Sequence, residues 1–501
     1  MNVRSHPAYE KLSLELWTLV FRAAVDLDII ENQDYKTCDT RRAPMLLLQV
    51  CRGWRELALA SPELWEHLSI RLPPMSSRFF QVQDLCARSR AMPLSLRIDD
   101  RGRMSGATVH RGITDVLFLW AEKAQLFSRL RALSCRMAST TADAARIRAL
   151  ASGEVLFPAL ESLELELNLG SSPTANENDP HVLEILRFFR RAPQLRRFIL
   201  RSKDKLSVLP SAELALHWPS IDEVQFRTCI PQHTAYTILS RCRFITHLHV
   251  ARGLSESLEV PGVNDLALPS LTHLSVMQHQ TGLLPFLEMF SFPRLRSLSI
   301  TANPTREHDT SPDNLAVLST LQQRDNFTLT AVTIHHLSRQ MLGPVTDFLR
   351  ANPTIERLGL VDLYDQQIIN RLAYNAVGAS PILPLLQNLQ IGVSEPDEDS
   401  DIQLSIYHPD FAQRWRELRV PTVPLPTALT EYGLALARML QTRVDLVGAG
   451  RLETVHVDVQ SHRWRAGAWP LFKRLWDEGR MTIAGFAEEN WQAYMNGLVV
   501  V

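Results

Sequence analysis

The segments CRFITHLHV and LPSLTHLSV place His247 and His273 in the same slot of two similar stretches, 26 residues apart. Paired imidazoles can ligate a metal or change charge near neutral pH. No acidic or thiolate ligand accompanies them in the sequence, so a surface pair is the simpler expectation. His335-His336 would point to opposite faces of a strand. Gly448-Ala449-Gly450 follows the apolar Val444–Val447 and starts like a dinucleotide loop, but it lacks a third glycine. A strand-like LETVHV follows it where a helix would be needed. No P-loop, G-x-S-x-G or H-E-x-x-H occurs. The six cysteines, Cys38, Cys51, Cys86, Cys135, Cys229 and Cys242, form no C-x-x-C pair and suit reduced thiols better than a disulfide framework. The sequence therefore leads us to expect no catalytic centre, no metal and no cofactor. The acidic run Ser394–Asp401 is expected to be a solvated loop, with a basic docking partner as the alternative. His462–Trp476, HRWRAGAWPLFKRLW, mixes basic and aromatic residues. That mixture can bind single-stranded nucleic acid, but a terminal cap on a repeat stack explains it more simply.

The elements that would position such residues have to be built from 501 residues, more than one hydrophobic core normally holds. Hydrophobic residues make up 45% and charged residues 21%, and the net charge is −1. That balance supports a large core and gives no overall field toward nucleic acid or an anionic membrane. No apolar run is long enough to span a bilayer. The opening MNVRSHPAYEKLSLELW lacks an apolar signal region. An intracellular protein, cytoplasmic and/or nuclear, is expected, and Asn326-Phe327-Thr328 is then a sequon by coincidence.

One pattern recurs, Leu-x-x-Leu-x-Leu, often with proline two places before it. It reads FPALESLEL, APQLRRFIL, WPSIDEVQF, CRFITHLHV, LPSLTHLSV and FPRLRSLSI, then more weakly LTAVTI, NPTIERLGL, LPLLQNLQI and LETVHV. Its leading positions are 160, 195, 221, 245, 271, 295, 329, 355, 386 and 452, a modal spacing near 25 residues. The gap of 66 before the last copy would hold further units or an insertion. The last two apolar residues of a copy are two apart, so they share one strand face. Helical stretches such as Val182–Arg191 and Leu284–Phe290 lie between copies. A single strand and helix cannot bury such a face alone, whereas stacked units share a continuous core.

The pattern resembles the leucine-rich-repeat family over roughly residues 93–480. Asn168, Cys229 and Asn303 match the family's Asn or Cys position, and most copies do not, which points to an irregular array. The resemblance implies an α/β solenoid with a parallel sheet on its concave face. The residues flanking the inward apolar ones would face out along that sheet. Those slots make Arg197, Arg201, Glu223, Arg227, His247, His249, His273 and Met277 the candidate substrate-binding residues. The histidines would make binding sensitive to pH between about 5.5 and 7.5 if charged beside a carboxylate.

Ahead of the array lies Leu12–Ala24. On a helix Leu16, Leu19, Val20, Ala23 and Ala24 form one apolar face, and Trp17 and Phe21 form an i, i+4 pair beside it. A second apolar stretch, Met45–Leu59, follows Pro44 and contains Gly53, which would mark a break between helices. Ser61-Pro62 ends it. Trp65-x-x-Leu68-x-Ile70 then fits the repeat template. This unit has more apolar surface than one small core needs.

Residues 10–70 resemble an F-box. Leu12, Glu15, Leu16 and Phe21 match the family's first half, with Ser13 where the family has proline. Leu47, Val50, Cys51, Trp54, Leu57, Leu64 and Trp65 match the second, and a polar insert, Asp28–Arg42, separates the two. The resemblance implies binding to the Skp-type adaptor of a cullin-based ubiquitin ligase, through Leu12, Leu14, Leu16, Trp17, Phe21, Leu47, Val50, Cys51 and Trp54. The expected organisation is an F-box-like helical module at 10–70, a degenerate repeat domain at 71–480 and a C-terminal cap or tail at 481–501. The expected function is a non-catalytic substrate receptor with an unknown protein substrate and no nucleic-acid or membrane partner. The alternative is a repeat scaffold whose N-terminal helices only cap the stack.

Overall fold

The computed structural model describes residues 12–31, 37, 39–71, 79–99, 125–138, 157–168, 186–202, 216–228, 230, 232–250, 266–278, 287–302, 313–335, 342–361, 366–373, 382–392, 452–458 and parts of 435–443 and 474–484. Two compact units divide the chain. The first holds residues 1–245 and 254–261, the second 246–253 and 262–501.

The first unit opens with helices α1 (Leu14–Glu31), α2 (Leu47–Val50) and α3 (Arg52–Ala60), then a 3-10 turn at Pro62–Trp65. Six parallel strands follow: β1 (His67–Arg71), β2 (Leu94–Asp99), β3 (Leu130–Ala138), β4 (Ser162–Asn168), β5 (Arg197–Ser202) and β6 (Glu223–Arg227). Each pairs with the next in sequence. Helix α4 (Phe79–Arg88) precedes β2, α5 (Gln125–Arg129) precedes β3, and α6 (Gln232–Arg241) follows β6.

The second unit has parallel strands β7 (His247–Val250), β9 (His273–Gln278), β11 (Ser297–Ala302), β12 (Ala331–His335), β13 (Arg357–Val361), β14 (Asn388–Gly392), β15 (Thr454–Asp458) and β16 (Met481–Ala484), in that order. Helices α7 (Asp313–Asp325), α8 (Leu342–Ala351) and α9 (Gln366–Leu372) precede β12, β13 and β14. Two short strands, β8 (Leu266–Ala267) and β10 (Phe290–Ser291), pair separately. Leu284–Phe290, expected as a helix, thus ends in a strand.

The sheet register superimposes the sequence template on itself. Leu163 pairs with Phe198, and Phe198 with Val224. In the second unit Leu248, Leu274, Leu298, Val332, Leu358, Leu389 and Val455 form one row. All ten leading residues, from Leu160 to Leu452, are buried. The row extends to stretches whose sequence match is weaker: Leu68, Leu96 and Leu133 align in the first unit, and Met481 pairs with Val455 in the second. Because β14 pairs directly with β15, the long gap before residue 452 is an insertion between adjacent strands, not further strands of the sheet. Strand β16 carries the sheet beyond residue 480, into the stretch expected as a cap or tail.

The recurring proline has a local reason. The Leu160 N–H donates to Phe157 O at 3.3 Å, Leu195 to Ala192 O at 3.2 Å and Ile221 to Trp218 O at 3.1 Å. Leu271, Leu295, Ile355 and Leu386 close the same four-residue turn. Proline sits second in each turn, where its fixed φ fits. The turn's first residue is buried every time: Phe157, Ala192, Trp218, Leu268, Phe292, Asn352 and Leu383. It is a fourth core position. Backbone bonds then link the turns of successive rungs, as in Arg296 N–H to Thr272 O at 3.0 Å and Thr330 N–H to Arg296 O at 2.8 Å. In the first unit Phe157 meets Phe127, Phe188 and Phe189 at ring-centroid distances of 5.0, 5.1 and 5.2 Å.

Of the three residues at the family's Asn or Cys position, Asn168 ends β4, and Cys229 and Asn303 lie outside the described residues. So do the acidic run, the Gly448–Gly450 loop and most of His462–Trp476.

Candidate functional site

Ser13 starts α1. Its Oγ accepts from the Leu16 N–H at 3.4 Å and its carbonyl from the Trp17 N–H at 3.1 Å. Serine at this position caps the helix. Its hydrogen bond also holds the exposed Glu15 carboxyl below its ordinary range.

The helix then divides into two apolar stripes. Trp17, Phe21 and Val25 are buried. The Phe21 ring lies 4.9 Å from Trp54, and Trp17 lies 5.3 Å from Trp54. At 100° per residue, Leu16, Leu19, Val20, Ala23 and Leu27 lie on another stripe, about 145° around the axis. That stripe is open: Leu16 is 48% exposed, Leu19 61%, Val20 49% and Leu27 56%. The sequence placed residues of both stripes among the adaptor candidates. The aromatic stripe wins the core because its rings meet the half-buried Trp54 on α3, each pair adding contact beyond area alone.

The adaptor candidates therefore separate. Leu12, Leu14, Leu16 and Val50 are exposed, Cys51 and Trp54 are half-buried, and Trp17, Phe21 and Leu47 are buried core residues. The break between α2 and α3 falls at Cys51, not Gly53. Cys51 is extended, with φ −157° and ψ 172°, and its Sγ accepts from the Trp54 N–H at 3.4 Å.

The same module meets the strand stack. The Thr37 N–H donates to Ser69 O at 2.9 Å, and Thr37 Oγ1 accepts from the Ser69 N–H at 2.8 Å. Ser69 lies on β1, which ends its sheet. The buried Trp65 indole donates to Ala58 O at 3.0 Å, and the Arg88 guanidinium sits 4.6 Å above its ring.

On the strands the substrate candidates occupy rows that alternate with the core. In the first unit these rows are internally paired. Arg197 meets Glu223 at 3.0 Å and Arg201 meets Glu164 at 2.6 Å. Glu223 also accepts from the Gln225 side-chain amide at 2.5 Å, and Arg227 Nε donates to Gln225 Oε1 at 3.2 Å. Ile199, in the same rows, is buried.

In the second unit His247 and His273 face each other across adjacent strands. Their rings stack with centroids 4.1 Å apart and planes 9° apart. His247 Nδ1 contacts Thr246 Oγ1 and His273 Nδ1 contacts Thr272 Oγ1, each at 2.8 Å. His249 is half-buried, and of Met277 only the backbone is described. Among the described residues, no group of three or more His, Cys, Asp or Glu is arranged to hold a metal, and no helix is long and apolar enough to cross a membrane. Burial pushes the Cys86 and Cys242 thiols up to about 12, so neither is a reactive thiolate near neutral pH.

No protein-family model matches the chain, and no curated protein matches it in sequence. A crystal structure of a Bacteroides fragilis protein, a structural-genomics target, covers 72% of this chain and 75% of its own at 11% identity, with a TM-score of 0.30. At that score the likeness carries no argument.

Proposed function

We propose that this chain is a substrate receptor of an SCF-type ubiquitin ligase, with an F-box-like module ahead of leucine-rich-repeat stacks. The module binds the Skp-type adaptor and the outward strand rows bind a protein substrate. The reading assigns no catalytic role to any residue. Its main support is the second apolar stripe of α1, which stays open although Trp17, Phe21 and Trp54 already give the module a core. A helix apolar on two faces suits burial on both. The F-box resemblance of residues 10–70 names the partner. The register of the leucine template supports the repeat assignment.

A scaffold with a purely capping module remains the competing reading, favoured by the bonds of Thr37 to β1 and of Trp65 to Ala58. The two separate on surface variants of α1. Leu16→Asp with Val20→Asp touches no core residue, so the melting midpoint should hold. Adaptor co-purification should fall at least ~30-fold, the equivalent of one lost interface anchor of about 2 kcal/mol. Undiminished adaptor capture by the folded double variant would remove the receptor reading. Phe21→Asp would not serve, because Phe21 is 1% exposed and a carboxylate there would be buried in the module's core.

A further inference from the structure

The outward rows of the two units carry different charge. On β4–β6 acids and guanidinium groups pair with each other. Across β7, β9, β11, β12, β13 and β14 the described outward side chains include no carboxylate. Half are hydroxyls and amides, with four imidazoles, His247, His249, His273 and His335, and one guanidinium, Arg357. Arg357 and both stacked histidines are exposed.

No described outward side chain on the strands beside the stacked pair is an acid. With Nδ1 of each ring on its own threonine, each Nε2 is left for another group. His273 is held below the ordinary imidazole range by burial first, then by His247, then by Arg357. Of the strands beside it, β7 contributes His247 and His249, and β11 only hydroxyls; beyond them stand His335 on β12 and Arg357 on β13. Among the described outward side chains of these strands, protonating the pair therefore meets like charge and no carboxylate.

We propose that this strand face of the second unit binds an acidic polypeptide segment, whose carboxylates lie across the stacked imidazoles and Arg357. Strands β9 and β13 are three strand spacings apart, about 14 Å, which an extended segment of about five residues covers. This is the substrate half of the receptor reading. It is measured on the purified full chain without adaptor, so failed adaptor capture leaves it standing.

A carboxylate at the rings raises the bound-state pKa of His273 above its lowered free-state value. Affinity therefore rises as pH falls through the bound value and is complete below the free one. The probe is a fluorescein-labelled deca-glutamate, with deca-lysine and a ten-nucleotide single-stranded DNA beside it, at low salt so that screening is weak. Deca-glutamate should bind at least ~tenfold tighter near pH 5.8 than near pH 7.5. His247→Gln with His273→Gln should abolish that pH dependence, and Arg357→Gln should weaken binding ~fivefold at both pH values. Arg197→Gln, in the first unit, should leave binding unchanged. The proposal is overturned if the His and Arg357 variants bind like the parent, if Arg197→Gln weakens binding equally, or if deca-lysine or the DNA binds more tightly.

Discussion

Asp325, the last residue of α7, shows how much one side chain can organise. It accepts from the Phe292 N–H at 2.8 Å, and its Oδ1 meets Arg324 Nε at 2.8 Å. Arg324 also donates to Glu288 O at 2.9 Å and to Phe290 O. The pair thereby ties α7 to the turn leading into β11. Burial raises the Asp325 pKa, but the hydrogen bonds from Arg324 and Phe292 and the Arg324 charge outweigh it, and the carboxyl ends below its ordinary range. A depressed folded pKa gives stability that is present above the unfolded value near 3.9 and lost as pH falls through the folded value. Asp325→Asn should cost about 1.5–3 kcal/mol at pH 7. It should also flatten the parent's loss of stability below about pH 4. Urea melts of both proteins at pH 7 and pH 3 check this, and an equal difference at the two pH values would contradict it.

At the scale of elements, strand pairing sets demands that no isolated strand carries. Thr333 and Gly359 are paired across β12 and β13. A Cβ on Gly359 would stand 2.8 Å from Thr333 Cγ2 and 2.9 Å from its Oγ1. Gly359→Ala should therefore destabilise by about 1–3 kcal/mol through overpacking. Thr333→Ala in the same chain should return most of that loss, and a double-mutant cycle measures the coupling. Additive effects would show that the crowding relaxes elsewhere. Arg443 makes a comparable long-range tie. It is fully buried, and its guanidinium donates to Leu372 O at 2.8 Å, Leu383 O at 2.9 Å and Ile382 O. It thus holds part of the insertion before β15 against α9 and the turn into β14.

For the whole molecule, the question is what the N-terminal helices do for the strands behind them. Thr37 covers part of the open side of β1, and Trp65 hangs from Ala58. Exposed strand edges pair with other chains, and repeat stacks need their ends covered. Deleting residues 1–60 should lower the melting midpoint and shift the chain to larger species in size-exclusion chromatography with light scattering. Unchanged elution and melting would show that the module contributes nothing to the stack. The Leu16→Asp, Val20→Asp variant, by contrast, should elute like the parent.

The strand rows were legible in the sequence because their cause is local and periodic. Apolar residues two apart define a strand face, a proline two places earlier defines the turn, and repetition makes a row. Residues such as Leu274, Leu298 and Val332 needed nothing more to be found. Strands whose copies stray from the template, such as β2, β3 and β16, emerged only from the register, and the fourth core position filled by Phe157, Trp218 and Asn352 emerged only from the buried turns, since its residue type varies from copy to copy. The helical module could be read as doubly apolar, but not which stripe is buried. That choice falls to Trp54, more than thirty residues from Phe21 along the chain, and helical periodicity contains no term for it. Likewise the sequence put His247 and His273 in equivalent slots. Only parallel pairing in register brought the rings to 4.1 Å.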